Sequence, residues 1–257
     1  MNNVNLSDDY DKEVVEIAKS KIRWHTCQIF NKGGKYGYKP IGSAILASIK
    51  NNDYLFSASH VISEISSENH GFIQTPLGFQ LIIGEANESD ISVNSKIDIA
   101  YIKLEKNFAL LLKEAYKFLP ENKILRNHIP LDTTQYLTLG FPASMIKKEN
   151  GKVFTGCSFN LHSIMKERVY KIERYDESIH YLLNFAGKGT GLINNVKRQI
   201  IRDPHGMSGC GLWYISRTEG LKNLEYDYFL IGIMFYVEKS RFHYLVGNKI
   251  NLLIDDL

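Results

Sequence analysis

Cysteine is scarce in this sequence, and the three cysteines, Cys27, Cys157 and Cys210, are odd in number and far apart. None has the Cys-x-x-Cys spacing typical of zinc sites, so we expect neither a metal site nor a disulfide framework. Residues 1–11 lack the basic segment and apolar core of a secretory signal, and no apolar run is long enough to span a membrane. We therefore expect a cytoplasmic protein with reduced thiols, no membrane association and no cofactor.

Strong charge of one sign is also missing. The 31 Lys and Arg residues nearly balance the 28 Asp and Glu residues, and the basic pairs at 147–148 and 197–198 are short enough to be solvated loop charges. This pattern argues against nucleic-acid binding. The glycine-rich stretch at 187–191 has neither common phosphate-loop spacing, so we interpret it as a loop near the substrate pocket.

A glycine-flanked serine is the most informative stretch that is present. Gly206-Met207-Ser208-Gly209 leads into the apolar run at 211–215, which predicts a tight turn before a buried strand. Such a turn can present a hydroxyl and aim backbone N–H groups at one point, as acyl transfer requires. Taken alone the pattern is equally typical of an ordinary loop.

Two upstream stretches add a histidine and an aspartate. Ser57-Ala58-Ser59-His60 follows a strand-like run, and Asp98 opens the apolar stretch Asp98-Ile99-Ala100-Tyr101-Ile102. Either residue by itself is more often structural, as a buried imidazole or as a strand-entry cap. Together with Ser208 they give the order His, Asp, Ser along the chain.

With these three motifs, and with Gly140-Phe141-Pro142 between the second and third, the sequence resembles the trypsin-like (chymotrypsin-fold) serine proteases over residues 22–256. The resemblance implies a catalytic triad of His60, Asp98 and Ser208. His60 would act as general base and acid, and Asp98 would orient it. The N–H groups of Gly206 and Ser208 would form the oxyanion hole. The implied activity is cleavage of protein or peptide substrates through an acyl-enzyme.

The chain departs from the secreted animal members of that family. Val61 stands where they have a cysteine after the histidine, and Met207 stands where an aspartate captures the freed N-terminus on activation. We therefore hypothesise control by a regulatory protein partner or by ordering of the loop at 187–195. The resemblance to cytosolic bacterial members also implies a role as a protease effector in stress or antiviral defence.

The resemblance places Arg202 at the base of the pocket for the side chain that precedes the cleaved bond, and we assign His205, Phe235 and Tyr236 to the same pocket. An arginine there would favour an acidic side chain through a bidentate ion pair. The alternative is that Arg202 pairs with Asp203 or faces solvent.

The resemblance implies an all-β fold of two six-stranded antiparallel barrels, and hydrophobic periodicity predicts strands in both halves together with three helices. The predicted helices cover residues 11–23, 108–119 and 248–257, and Asn107 is the predicted cap of the second. The first six strands are predicted at 24–30, 41–49, 53–57, 71–74, 79–83 and 98–104. Candidate strands of the second half are 135–140, 152–161, 169–173, 181–186, 211–215, 228–236 and 242–246.

We divide the chain into a tail and helix (1–23), a first barrel with a connecting helix (24–119), and a second barrel with a terminal helix (120–257). An α/β esterase would need the order Ser, Asp, His and more helices, so we set that class aside. A catalytically silent or latent protein-binding module on the same fold remains the alternative.

Overall fold

The computed structural model describes residues 6–34, 37–66, 70–88, 96–131, 134–149, 152–185, 205–219, 224–239, 243–255 and 257. The glycine-rich stretch at 187–191 and Arg202 lie outside these ranges.

A curled antiparallel sheet forms the first half of the chain. Its strands are β1 (Thr26–Lys32), β2 (Tyr38–Ile49), β3 (Asn52–Ser57), β4 (Gly71–Thr75), β5 (Gly78–Leu81), β6 (Gly84–Glu88) and β7 (Ala100–Leu104). They follow the order β5-β4-β1-β2-β3-β7-β6, and the two-residue strand β8 (Leu119–Pro120) pairs with β2 in parallel. The predicted first barrel is thus a seven-stranded half-barrel, because the polar strand β6 was missed.

A second curled antiparallel sheet has six strands in the order β12-β9-β14-β15-β16-β13. These are β9 (Tyr136–Gly140), β12 (Ser158–His162), β13 (His180–Asn184), β14 (Gly211–Glu219), β15 (Leu224–Lys239) and β16 (His243–Lys249). A separate hairpin of β10 (Ile146–Glu149) and β11 (Lys152–Thr155) lies between β9 and β12. Two curled antiparallel sheets with a few helices confirm the predicted all-β class.

Five α-helices occur in the described ranges, and they differ in several bounds from the predicted ones. They are α1 (Leu6–Ser20), α2 (Ser59–Ser66), α3 (Lys106–Lys113), α4 (Glu167–Glu173) and α5 (Asn251–Ile254). The Glu105 carboxylate, rather than Asn107, caps α3 by accepting from two of its first N–H groups. None of these helices has the length and apolar character needed to cross a bilayer.

The predicted strand at 169–173 is wrong, because this segment is helix α4. Val169 and Tyr170 are buried while Ile172 is 55% exposed, so the apolar residues do not alternate as a strand requires. The predicted strand at 152–161 is instead two strands, interrupted at Gly156 and Cys157.

One apolar cluster joins the two sheets. It includes Ile45 of β2, Leu137 of β9 and Trp213 of β14, together with Val14 and Ile17 of α1. All five are buried. The two sheets therefore pack on each other, and the N-terminal helix seals the same core.

Candidate active site

Strand pairing brings His60 and Asp98 together. Ser57 at the end of β3 pairs with Ala100 at the start of β7, so the residues just beyond these two strand ends are neighbours. His60 lies in the first turn of α2, directly after β3, and Asp98 lies just before β7. The backbone N–H of His60 donates to Asp98 Oδ1 at 2.9 Å, and His60 Nδ1 lies 2.6 Å from Asp98 Oδ2.

This pairing sets the protonation pattern of the imidazole. An ionised carboxylate only accepts hydrogen bonds, so Nδ1 carries the proton toward Asp98 and Nε2 is left as the basic nitrogen. The His60 side chain is 47% exposed and that of Asp98 is 18% exposed. His60 is therefore the more exposed partner, and Asp98 is the more enclosed one.

Asn248 fixes the backbone beneath Asp98. Its side chain is fully buried, and its Oδ1 accepts the Asp98 N–H at 2.8 Å. Asn248 belongs to β16 of the second sheet, so this bond holds a residue of the first sheet in place from across the sheet interface.

Ser208 lies on a turn whose shape depends on glycine. Gly206 and Gly209 have φ values of +89° and +86°, and a Cβ on Gly209 would overlap Ser43. The peptide after Ser208 is held from both sides, because Ser208 O accepts from Ser43 N at 2.7 Å and Gly209 N donates to Met234 O at 2.7 Å. The turn is therefore fixed to both sheets.

The orientation of the peptide before Gly206 follows from its carbonyl. His205 O accepts from Ala143 N at 2.8 Å, and in a trans peptide the N–H points the opposite way, so the Gly206 N–H faces away from Ala143. A Cβ on Gly206 would lie 2.9 Å from both Phe141 O and Ala143 N, so a larger residue would displace this arrangement.

The second candidate donor is the N–H of Ser208. The carbonyl of the same peptide, Met207 O, accepts from Cys210 N at 2.9 Å, so the Ser208 N–H again points away from a satisfied carbonyl. Within the described residues, neither Gly206 N nor Ser208 N donates to a backbone or side-chain acceptor. Two N–H groups beside a serine that donate to no acceptor in the described part of the chain are suited to binding an oxyanion.

The Ser208 hydroxyl donates to Phe235 O at 3.2 Å. Among the described residues it makes no hydrogen bond with His60. The serine turn nevertheless lies against the helix that carries His60, because a Cβ on Gly42 would meet both Val61 methyls at 2.7 Å and Ser208 O at 3.0 Å. Rotation about the Cα–Cβ bond of Ser208 moves the hydroxyl away from Phe235 O.

The residues predicted for the substrate pocket do not form one described cavity. Arg202 lies outside the described ranges. His205 is exposed and lines a cavity of about 350 Å³, whose described lining does not include Phe235. The other lining residues are Gly34, Tyr38, Lys39, Pro40, Ala143 and Ile146. Phe235 instead meets Ser208 through its carbonyl, and Tyr236 pairs through its backbone with Val246 in β16.

Buried Cys210 and His162 are unsuited to this chemistry. All three cysteines are free, and burial raises the pKa of Cys210 to about 12. Burial likewise lowers the pKa of His162 to about 4, so this histidine is neutral and structural. In the part of the chain that the structure describes, no three His, Cys, Asp or Glu residues are grouped as metal ligands.

Two residues that support the site were not predicted from the sequence. Ser43 and Asn248 are single polar residues within apolar strands, and only their burial in the fold reveals that their polar atoms serve other segments. A buried polar residue needs a partner, so an isolated serine in an apolar strand is a weak signal of such a role.

No family model and no curated protein matches the chain. Several solved structures are similar to it. Neuropsin, a serine protease expressed in the limbic system of mouse brain, is 13% identical, with a TM-score of 0.52 over 90% of this chain and 92% of that one. A thermostable serine protease from an extremophilic microorganism is 14% identical, with a TM-score of 0.48 and coverages of 88% and 91%. Tobacco vein mottling virus protease is 12% identical, with a TM-score of 0.46 and coverages of 91% and 82%.

The similarity to neuropsin extends over almost the whole of both chains, and it agrees with the two curled antiparallel sheets of seven and six strands. At 13% identity it establishes architecture and leaves the chemistry to be argued from the residues. The chain has the chymotrypsin-like fold of the trypsin-like serine proteases.

Proposed function

We propose that this protein is a serine endopeptidase that cleaves protein or peptide substrates through an acyl-enzyme on Ser208. The observation that carries the proposal is the paired contact of Asp98 with both the backbone and the Nδ1 atom of His60, so that Asp98 does not engage Nε2. An ordinary surface histidine needs no such orientation, whereas a general base does.

In the proposed reaction, the Ser208 hydroxyl leaves Phe235 O and gives its proton to His60 Nε2 as Oγ bonds to the substrate carbonyl carbon. Gly206 N and Ser208 N stabilise the oxyanion, and one such donor is typically worth about 10²–10³ in rate. His60 then protonates the leaving amine as the peptide C–N bond breaks. A water molecule then attacks the ester carbon while His60 accepts its proton. His60 returns the proton to Ser208 Oγ as the carboxylate product leaves.

The decisive experiment is labelling with a fluorophosphonate probe, followed by mass mapping of the modified residue. We expect modification of Ser208 in the wild type and none in Ser208→Ala or His60→Ala. His70→Ala is the matched control, because His70 is an exposed histidine that belongs to none of the three motifs. Loss of Ser208 should lower kcat by a factor on the order of 10⁶. Equal labelling of wild type and Ser208→Ala would refute the proposal.

For specificity, we propose that Arg202 selects an acidic side chain before the cleaved bond, with His205, Phe235 and Tyr236 contributing to the same region. A peptide library compares cleavage after Glu or Asp with cleavage after Lys or Arg. Preference for acidic residues that is lost in Arg202→Ala supports this assignment, and preference for basic residues contradicts it.

A latent or silent protein-binding module is the second candidate, and one observation favours it. The Ser208 hydroxyl is bonded to Phe235 O instead of to His60, so the nucleophile is not activated in this arrangement. A latent protease would label only after a regulatory partner is added, whereas a silent module would never label.

We extend the proposal to a regulated effector role in bacterial stress or antiviral defence. Expression of the wild type in a phage-challenged bacterial host should reduce survival or phage yield relative to Ser208→Ala. Identical outcomes for the two proteins would remove this role while leaving the protease assignment untouched.

A further inference from the structure

Ser43 is a fully buried serine of β2 that serves segments outside its own hairpin. Its Oγ donates to Gly206 O at 2.8 Å and accepts from Phe141 N at 3.0 Å. Its backbone N–H donates to Ser208 O at 2.7 Å. One residue thus binds carbonyls on both sides of the turn residue Met207 and ties the turn to the end of β9.

The hydrogen bond from the Ser43 hydroxyl restrains Gly206, whose own backbone is among the least restricted in the turn. Gly206 has a φ of +89°, and glycine rotates more freely than any other residue, so its own backbone does not fix the direction of its N–H. The peptide before Gly206 is held through His205 O by Ala143 N, and the peptide after it is held through Gly206 O by Ser43 Oγ. With both peptides fixed, the direction of the Gly206 N–H is fixed as well.

The same hydroxyl also determines where Phe141 lies. Phe141 N donates to Ser43 Oγ, and Phe141 O accepts from Gln28 Nε2 at 3.1 Å. Phe141 O is one of the two atoms that leave room only for a glycine at position 206. Removing the hydroxyl would therefore leave two buried backbone groups, Phe141 N and Gly206 O, without this partner, and the turn would be free to shift.

We propose that Ser43 is a positioning residue. Its hydroxyl preorganises the oxyanion hole by binding both Gly206 O and Phe141 N. This inference rests on the proposed function for its catalytic meaning. The inference also states that the conformation of the serine turn depends on the Ser43 hydroxyl, and this can be measured without any catalytic turnover.

The first measurement is amide hydrogen exchange of the full chain, comparing wild type with Ser43→Ala. Gly209 N and Cys210 N report on the turn, because they donate to Met234 O and Met207 O. We expect exchange in residues 205–210 to be at least about tenfold faster in Ser43→Ala, as loss of a buried hydrogen-bond partner destabilises the closed turn. Exchange at the wild-type rate would overturn the proposal.

Ser48→Ala is the matched control, because Ser48 belongs to the same strand but bonds to Asp53 within its own hairpin. It should leave exchange in residues 205–210 unchanged. Ser43→Cys keeps a weak donor of similar volume and should give an intermediate rate, so it replaces Ser43→Ala if that variant does not fold.

The second measurement compares catalysis and inhibitor binding, both of which place an oxygen atom in the oxyanion hole. We expect Ser43→Ala to lower kcat for a peptide substrate by about 10–100-fold with KM within about twofold, and to weaken a peptide boronate inhibitor by a similar factor. A wild-type kcat in Ser43→Ala would overturn the positioning role.

The two arms separate the two claims. A wild type that never labels, but whose turn loosens in Ser43→Ala, would refute the protease while supporting the structural role of Ser43. A wild type that labels at Ser208, with Ser43→Ala unchanged in both exchange and kcat, would keep the protease and refute the role of Ser43.

Discussion

His162 is a buried histidine whose contacts suit only the neutral ring. Nδ1 lies 3.1 Å from the carbonyl of Asn184, which can only accept, so Nδ1 carries the proton. Nε2 then accepts from the Thr138 hydroxyl at 2.9 Å. Burial lowers the pKa of His162 to about 4 from its ordinary 6.5, and the ring joins β12 to β9 and β13.

This histidine should make stability depend on pH. The unfolded chain binds the proton near pH 6.5 and the folded chain only near pH 4, so the contribution is complete above pH 6.5 and declines as pH falls toward 4. We expect His162 to account for a loss of about 2 kcal/mol in the free energy of unfolding between pH 7.5 and 5.

Urea denaturation across this pH range measures the effect. In His162→Gln, the free energy of unfolding should fall by about 2 kcal/mol less between pH 7.5 and 5 than it does in the wild type. At pH 7.5 the variant should be less stable than the wild type. His70→Gln, at an exposed site, should keep the wild-type slope. A wild-type slope in His162→Gln would contradict the assignment.

Cys27 and Cys210 should be inert thiols. Both are buried, and burial raises the pKa of each to about 12, so almost no thiolate forms at pH 8. Titration of the native protein with an aromatic disulfide reagent should give at most one fast-reacting thiol, the half-buried Cys157, and three thiols in urea. Cys157→Ser should abolish the fast phase, and rapid modification of native Cys210 would contradict this prediction.

At the scale of elements, Gly42 of β2 and Val61 of α2 are fitted to each other. A Cβ on Gly42 would lie 2.7 Å from each methyl group of Val61, so the missing side chain on one element makes room for the branched side chain on the other. In the secreted proteases that the sequence resembles, the position of Val61 is a cysteine. In this chain the two Val61 methyl groups fill the space beside Gly42.

Substitutions at this contact should therefore be coupled. We expect Gly42→Ala to cost about 1–3 kcal/mol in the free energy of unfolding, because the new methyl group collides with Val61. Val61→Ala removes both colliding methyl groups, so the double variant should be more stable than the sum of the single effects by about 1 kcal/mol. Strict additivity in urea denaturation would show that the two residues do not share this space.

The elements that the sequence predicted correctly are those with a clear hydrophobic period or a turn signal. Ile41 to Ile49 and the following strand form the predicted hairpin, because Asn51 adopts a positive φ at its turn. Strand β6 was missed because its sequence, Gly84–Glu88, is polar and acidic, and only its pairing with β7 makes it a strand. Helix α4 was mistaken for a strand because Val169, Tyr170 and Ile172 are residue types that favour strands.

The candidate site was predictable to a similar extent. His60, Asp98 and Ser208 lie in short motifs with a recognisable order, and strand ends then bring the first two together. Ser43 and Asn248 were not predictable, because their partners lie far away in sequence and no local pattern connects them: Gly206 is 163 residues from Ser43, and Asp98 is 150 residues from Asn248. Long-range hydrogen bonds of this kind become visible only once the topology is known.

At the scale of the whole molecule, helix α1 and both sheets share one core. Ile17 of α1 and Trp213 of β14 belong to the same buried cluster. Ile17→Ala should lower the free energy of unfolding by about 2–4 kcal/mol. Because the core is shared, tryptophan fluorescence and far-UV circular dichroism should shift together in urea.

Ile172→Ala provides the matched control, since Ile172 is 55% exposed on α4. It should change the free energy of unfolding by no more than about 0.5 kcal/mol. A separate early transition in Ile17→Ala, seen by circular dichroism but not by fluorescence, would indicate that α1 unfolds independently of the sheets.

The supports of the candidate site come from widely separated parts of the chain. Ser43 in the second strand holds the serine turn, and Asn248 in the last strand holds Asp98. During synthesis, the His60 and Asp98 segments emerge long before either the nucleophile or Asn248 exists. A nascent chain that has not yet reached Ser208 lacks the nucleophile and therefore cannot carry out the proposed reaction, so the order of translation delays proteolysis until residues from both sheets have been made.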